Sequence, residues 1–62
     1  MKVKLYFKPS SYGLAKEFMS KLNDLEFNFT EDSDEKGFYI IVDKKDELNI
    51  RKMAEKYKVE LY

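Results

Sequence analysis

Three observations predict an α+β domain for this chain. Apolar and polar residues alternate strictly at 2–8 and again from Leu25, which is the period of a half-buried strand. A continuous apolar run, Phe38-Tyr39-Ile40-Ile41-Val42, has the β-branched and aromatic content of a central strand. Two stretches with apolar residues every third or fourth position read as amphipathic helices.

Each element follows in order. Val3, Leu5 and Phe7 share one face of the first strand, and Lys2, Lys4, Tyr6 and Lys8 share the other. Pro9 ends the strand, because proline cannot donate to the ladder. Ser10 and Ser11 are helix N-cap candidates. Leu14, Phe18 and Leu22, flanked by Ala15 and Met19, then predict a helix over about 11–23. Leu25, Phe27 and Phe29 alternate with Glu26, Asn28 and Thr30 in a second strand. The polar stretch 31–37, ending in Gly37, predicts a hairpin turn into the run 38–42. Residues 43–57 predict a second helix with Ile50, Met53, Ala54 and Tyr57 on its apolar side. Asn49 serves as its N-cap, with Leu48 stapled onto Met53; Asp43 is an alternative cap. Val59–Tyr62 alternates again and predicts a short fourth strand.

The resulting order, β-α-β-β-α-β, is the ferredoxin-like two-layer arrangement. It implies a four-stranded antiparallel sheet with both helices on one face. The first and third strands are then central, and the second and fourth are edges. The expected core is Val3, Leu5, Phe7, Leu14, Ala15, Phe18, Met19, Leu22, Leu25, Phe27, Phe29, Phe38, Ile40, Val42, Ile50, Met53, Ala54, Tyr57, Val59 and Leu61.

Composition narrows the function classes. The 62 residues make one domain, spanning 1–62. Cysteine, histidine and tryptophan are all absent. That excludes disulfides, thiol chemistry, imidazole catalysis and imidazole or thiolate metal sites. Ten Phe and Tyr rings supply the apolar area that a disordered chain lacks. The N-terminus alternates instead of showing a signal peptide, and no run reaches the length of a membrane span, so a cytoplasmic domain is expected. Zero net charge conceals segregation. Residues 1–21 carry +4, residues 22–47 carry −6 and residues 48–62 carry +2. Such a pattern can steer a charged partner.

The candidate site is the sheet face away from the helices. Tyr6, Tyr39, Ile41 and Tyr62 are expected to lie together there, and Tyr is enriched at interface hot spots. The expected activity is non-catalytic: a protein-protein interaction or oligomerisation module whose partner is another protein or a second copy. No cofactor or metal is expected. The Lys-, Asn-, Phe- and Tyr-rich composition suits a small accessory or inhibitory protein of a phage or mobile element. The alternative is a single-stranded nucleic-acid binder using Lys2, Lys4, Tyr6, Lys8 and Tyr39, because lysines beside aromatic rings can hold backbone and bases.

Three local resemblances carry chemistry of their own. Lys36-Gly37-Phe38 resembles the start of the basic-Gly-aromatic motif of RNA-recognition domains, but Tyr39 stands where a small residue belongs and Asp43 where an aromatic belongs. Asp32-Ser33-Asp34-Glu35-Lys36-Gly37 resembles the opening of an EF-hand loop, with a lysine in a ligand place and Asp43 in the final one. Lys2–Tyr6, Lys8-Pro9 and Ala15–Phe18 resemble the opening of glutaredoxins, and Ala54–Val59 is similar to a helix end of thioredoxin-like proteins. The paired cysteines of that family are missing, and Ser10, Ser11, Tyr12 and Gly13 occupy their region, so no redox activity is implied.

Overall fold

Where the backbone N–H groups go determines where each element starts and stops. The computed structural model describes all 62 residues. The elements are β1 (Lys2–Tyr6), α1 (Tyr12–Asp24), β2 (Phe29–Asp34), β3 (Gly37–Asp43) and α2 (Glu47–Lys56), with short 3-10 turns at Pro9–Ser11 and Lys44–Asp46.

The sheet has three strands in the order β1-β3-β2, and both pairings are antiparallel. This corrects the expected four-stranded ferredoxin-like sheet. The segment after α2 makes one bridge, Phe7 to Leu61, flanked by Lys8 N–H donating to the Glu60 carbonyl and Tyr62 N–H to the Tyr6 carbonyl. The physical reason is prior use of its donors. Val59 N–H closes α2 by donating to the Ala54 carbonyl at 2.7 Å. Glu60 N–H donates to Ser11 Oγ at 2.7 Å. Neither is free to extend a ladder. Only β3 is therefore fully central, and β1 keeps a free edge over most of its length.

The same accounting moves β2. Its expected start at Leu25 is wrong because the exit from α1 consumes residues 25–27. Leu25 N–H donates to the Lys21 carbonyl, Glu26 N–H to Asn23, and Phe27 N–H to Leu22. These bonds, with Glu26 at φ +63°, form a Schellman exit. The strand begins at Phe29 and runs through Glu31, Asp32, Ser33 and Asp34, which were expected as turn. The hairpin loop shrinks to Glu35-Lys36, with Asp34 opposite Gly37. Gly37 sits at φ +127°, and the Tyr12 hydroxyl crowds the place that a Cβ would take. A side chain there would be strained by the backbone and blocked by Tyr12.

Helix α2 starts at Glu47, before Asn49. Leu48 lies inside the helix and is exposed, so it does not staple the N-terminus. Leu5, Phe7, Ile40 and Val42 from the strands meet Ala15, Phe18 and Leu22 of α1 and Ile50 and Ala54 of α2, with Val59, in one core. Each large side chain buried there contributes roughly 1.5–3 kcal/mol. Val3, Met19, Phe27, Phe29, Met53 and Leu61 pack partly against it. Four expected core residues are exposed instead: Leu14, Leu25, Phe38 and Tyr57. Leu14 and Tyr57 flank the buried stripes and line a shallow cleft with Phe18 and Val59. Leu25 is spent on the helix exit. Phe38 faces the helix layer, but that layer does not extend far enough to cover it.

Candidate protein-binding face

The open face of the sheet is assembled by register. Lys2, Lys4 and Tyr6 of β1 lie opposite Asp43, Ile41 and Tyr39 of β3. On the other side of β3, Thr30 and Asp32 lie opposite Ile41 and Tyr39. Tyr62 is tied beside Tyr6 through its own N–H, at 3.0 Å from the Tyr6 carbonyl. The structure thus brings Tyr6, Tyr39, Ile41 and Tyr62 onto one surface, with Lys2, Lys4 and Lys8 along its β1 side.

The surface differs from a bare apolar patch. Tyr39 is only 7% exposed although no helix covers it. The Tyr6 ring tilts onto it, with centroids 5.0 Å apart and planes at 50°. Lys4 Nζ stands 4.6 Å from the Tyr39 centroid. Lys8 Nζ stands 5.5 Å from the centroid of Tyr62, which is 65% exposed. Both are cation–π distances. The lysine stems and the Tyr6 ring thus form a second, thin layer over the centre of the sheet. Tyr6 and Ile41 remain half-buried.

Hydrogen bonds hold this layer. Tyr6 Oη donates to Asp34 Oδ2 at 2.6 Å. That bond, with burial adding to it, pushes the Tyr6 phenol up to about 12. At neutral pH Tyr6 is a fixed donor and not a nucleophile. The same bond holds the Asp34 carboxyl below the usual carboxylate range, helped by the Lys36 N–H donating to Asp34 Oδ1 at 2.8 Å. At the far end Lys2 Nζ pairs with Asp43 Oδ1 at 2.9 Å and holds the Asp43 carboxyl low.

Sequence reasoning missed several of these partners. Asp32 and Asp34 were assigned to a turn, yet they continue the polar face of Glu26, Asn28 and Thr30 at period two. That phase was the available signal. Their carboxylates accept local bonds, from Ser33 N–H to Asp32 and from Lys36 N–H and Tyr6 to Asp34, so the arrangement is a strand end and hairpin turn, unlike an EF-hand loop. Ser11 was expected to cap α1. Its hydroxyl makes no cap bond, lies buried, and accepts the Glu60 N–H, while Ser10 Oγ donates to Glu60 Oε2 at 3.1 Å. Tyr12, which carried no expected role, packs edge-on against Phe38 at 5.1 Å.

For the nucleic-acid residues the geometry is specific. Lys4 already occupies a face of the Tyr39 ring, and Lys8 stands over Tyr62. Comparison with protein-family models, curated proteins and solved structures finds no match to this chain.

Proposed function

We propose that this chain is a non-catalytic protein-binding module that works through the open face of its sheet. The observation that carries the reading is the ordered Tyr6–Tyr39–Lys4 layer, anchored by Asp34, beside exposed Tyr62. Such a surface is preorganised, so a partner pays little side-chain entropy on docking. Tyr supplies large contact area with few torsions and a polar tip. A second copy fits the charge pattern: a two-fold axis along β3 lays the lysine-bearing β1 of one chain over Asp32 and Asp34 of the other.

Sedimentation equilibrium up to millimolar concentration, with amide shifts recorded in parallel, tests the reading. Association is expected to shift amides of β1 and β3, and to weaken with Tyr62→Ser and Lys4→Glu. A wild-type chain that stays monomeric, and whose open-face amides move with no protein in a lysate of its source, removes the reading. Single-stranded nucleic acid needs Lys4 displaced from Tyr39, and so ranks second. Oligonucleotide titration at low salt measures it directly.

A further inference from the structure

A second surface lies on the opposite side of the sheet, along β2. This strand is paired on one side only, so every second residue turns its N–H and C=O outward. Above it the helix layer stops short. A groove of about 460 Å³ runs between α1 and the hairpin, walled by Tyr12, Ala15 and Met19 on one side and by Phe38 and Ser33 on the other. Phe38 is 53% exposed in this groove.

Charge separates the occupants. Glu31, Asp32, Asp34 and Glu35 crowd the hairpin, against Lys36 in the turn and Lys16 on α1. Two copies of β2 side by side would oppose these acids and repel. A cationic strand would pair with them. The faces are also divided. Thr30, Asp32 and Asp34 point to the open face, while Phe29, Glu31 and Ser33 point to the groove face.

We infer that the β2 edge and its groove bind an extended cationic segment of another protein, which adds as a further antiparallel or parallel strand. Its lysines or arginines lie beside Asp32 and Asp34, and its alternate apolar side chains enter the groove against Phe38 and Met19. Main-chain hydrogen bonds to β2 supply the affinity, and the alternation supplies the phase. This site shares Asp32 and Asp34 with the open face, but its backbone edge and its groove are not used there.

The probe is a short acetylated peptide alternating Lys and Val, titrated into isotope-labelled protein at low salt. Amides of residues 29–34 and the Tyr12, Met19 and Phe38 side chains are expected to shift. A peptide alternating Lys and Pro has equal charge but loses every second N–H and, with φ fixed at about −65°, does not extend as a ladder strand, so it should bind at least tenfold more weakly. Asp32→Lys and Phe38→Lys should each weaken the Lys-Val peptide at least fivefold, with unchanged circular dichroism. Equal binding of the proline peptide overturns the proposal, because attraction would then be charge alone. Shifts confined to the open face, or none at millimolar peptide, overturn it too. So does concentration-dependent shifting of the Met19 and Phe38 side chains in the free protein, which would make a second copy the occupant of the groove.

Discussion

The two faces of the sheet invert the simplest expectation from alternation. On the open face, Tyr39 is nearly as buried as a core residue. On the helix-covered face, its neighbour Phe38 is half exposed. The difference lies in what covers each. Long, stiff or charged side chains on β1 lie flat and shield the open face from within the sheet. The helices cover Leu5, Phe7, Ile40 and Val42, but a groove stays open between α1 and the hairpin end of β2 and β3, where Phe38 lies. Burial here follows the reach of the neighbours more than the side of the sheet.

Adjacent substitutions on β3 break or sharpen this contrast most directly. Ile40 faces the core and is fully buried. Ile40→Ala should cost about 3–4 kcal/mol. In a domain whose total stability is about that size, this removes most of the folded population. Tyr39→Ala loses a ring packed on one side by Tyr6 and Lys4, and should cost about 1–3 kcal/mol. Thermal melts followed by circular dichroism measure both. Equal losses would mean that the thin layer on the open face is a true second core.

Next in size is Gly37→Ala. Its φ of +127° is a region L-residues avoid, and the new Cβ would meet the Tyr12 hydroxyl. The cost should be about 1–3 kcal/mol. Adding Tyr12→Phe removes the blocking oxygen, so part of the loss should return in a double-mutant cycle. Full additivity would show that backbone strain alone is responsible.

The open-face layer, together with the Glu47 pairs on α2, also predicts a pH signature. Asp34, Asp43 and Glu47 are held below their usual range by Tyr6, Lys2, and Lys44 with Arg51 respectively. Groups with depressed folded values stabilise the protein above their unfolded values and lose that contribution as pH falls through the folded ones. Acid should therefore destabilise the domain progressively below the usual carboxylate range. Tyr6, pushed up to about 12, works in the other direction. Its contribution is complete below the free tyrosine value of about 10 and is lost as pH rises toward 12. Tyr6→Phe should flatten the acid limb, because Asp34 loses the donor that holds its carboxyl low. It should also flatten the alkaline limb. An ultraviolet titration in which all tyrosinates form near pH 10 would contradict the assignment.

Periodicity revealed both helices, the alternation of β1 and the apolar run of β3. It placed Tyr6, Tyr39 and Ile41 on one face correctly, since a period of two needs no knowledge of neighbours. It failed where a residue's N–H had a partner that alternation cannot express. Leu25, Glu26 and Phe27 alternate like a strand, yet their N–H groups close α1. Val59 and Glu60 alternate too, yet one donor closes α2 and the other goes to Ser11. Burial of Tyr39 was equally illegible, because it depends on how Lys4 and Tyr6 lie across the strand. Exposure of Phe38 depends on where a helix ends.

The smallest predicted effect isolates that helix exit. Glu26 and Lys58 both sit in the left-handed region, at φ +63° and +61°. A non-glycine residue there costs about 1 kcal/mol or a little more. Glycine removes this cost but adds unfolded-state entropy of roughly 0.5–1 kcal/mol. The left-handed term wins narrowly, so Glu26→Gly and Lys58→Gly should each stabilise by roughly 0.5 kcal/mol. Denaturant melts resolve such a gain when the slope is unchanged. Neither change touches the residues that line the β2 groove. If Glu26→Gly raises stability while the Lys-Val peptide binds as before, the open groove is a consequence of where the exit sits and not of a weak or frayed one. If tightening the exit abolishes binding, the groove is an excursion of a loose helix end, and the contrast between the two faces belongs to dynamics instead of architecture.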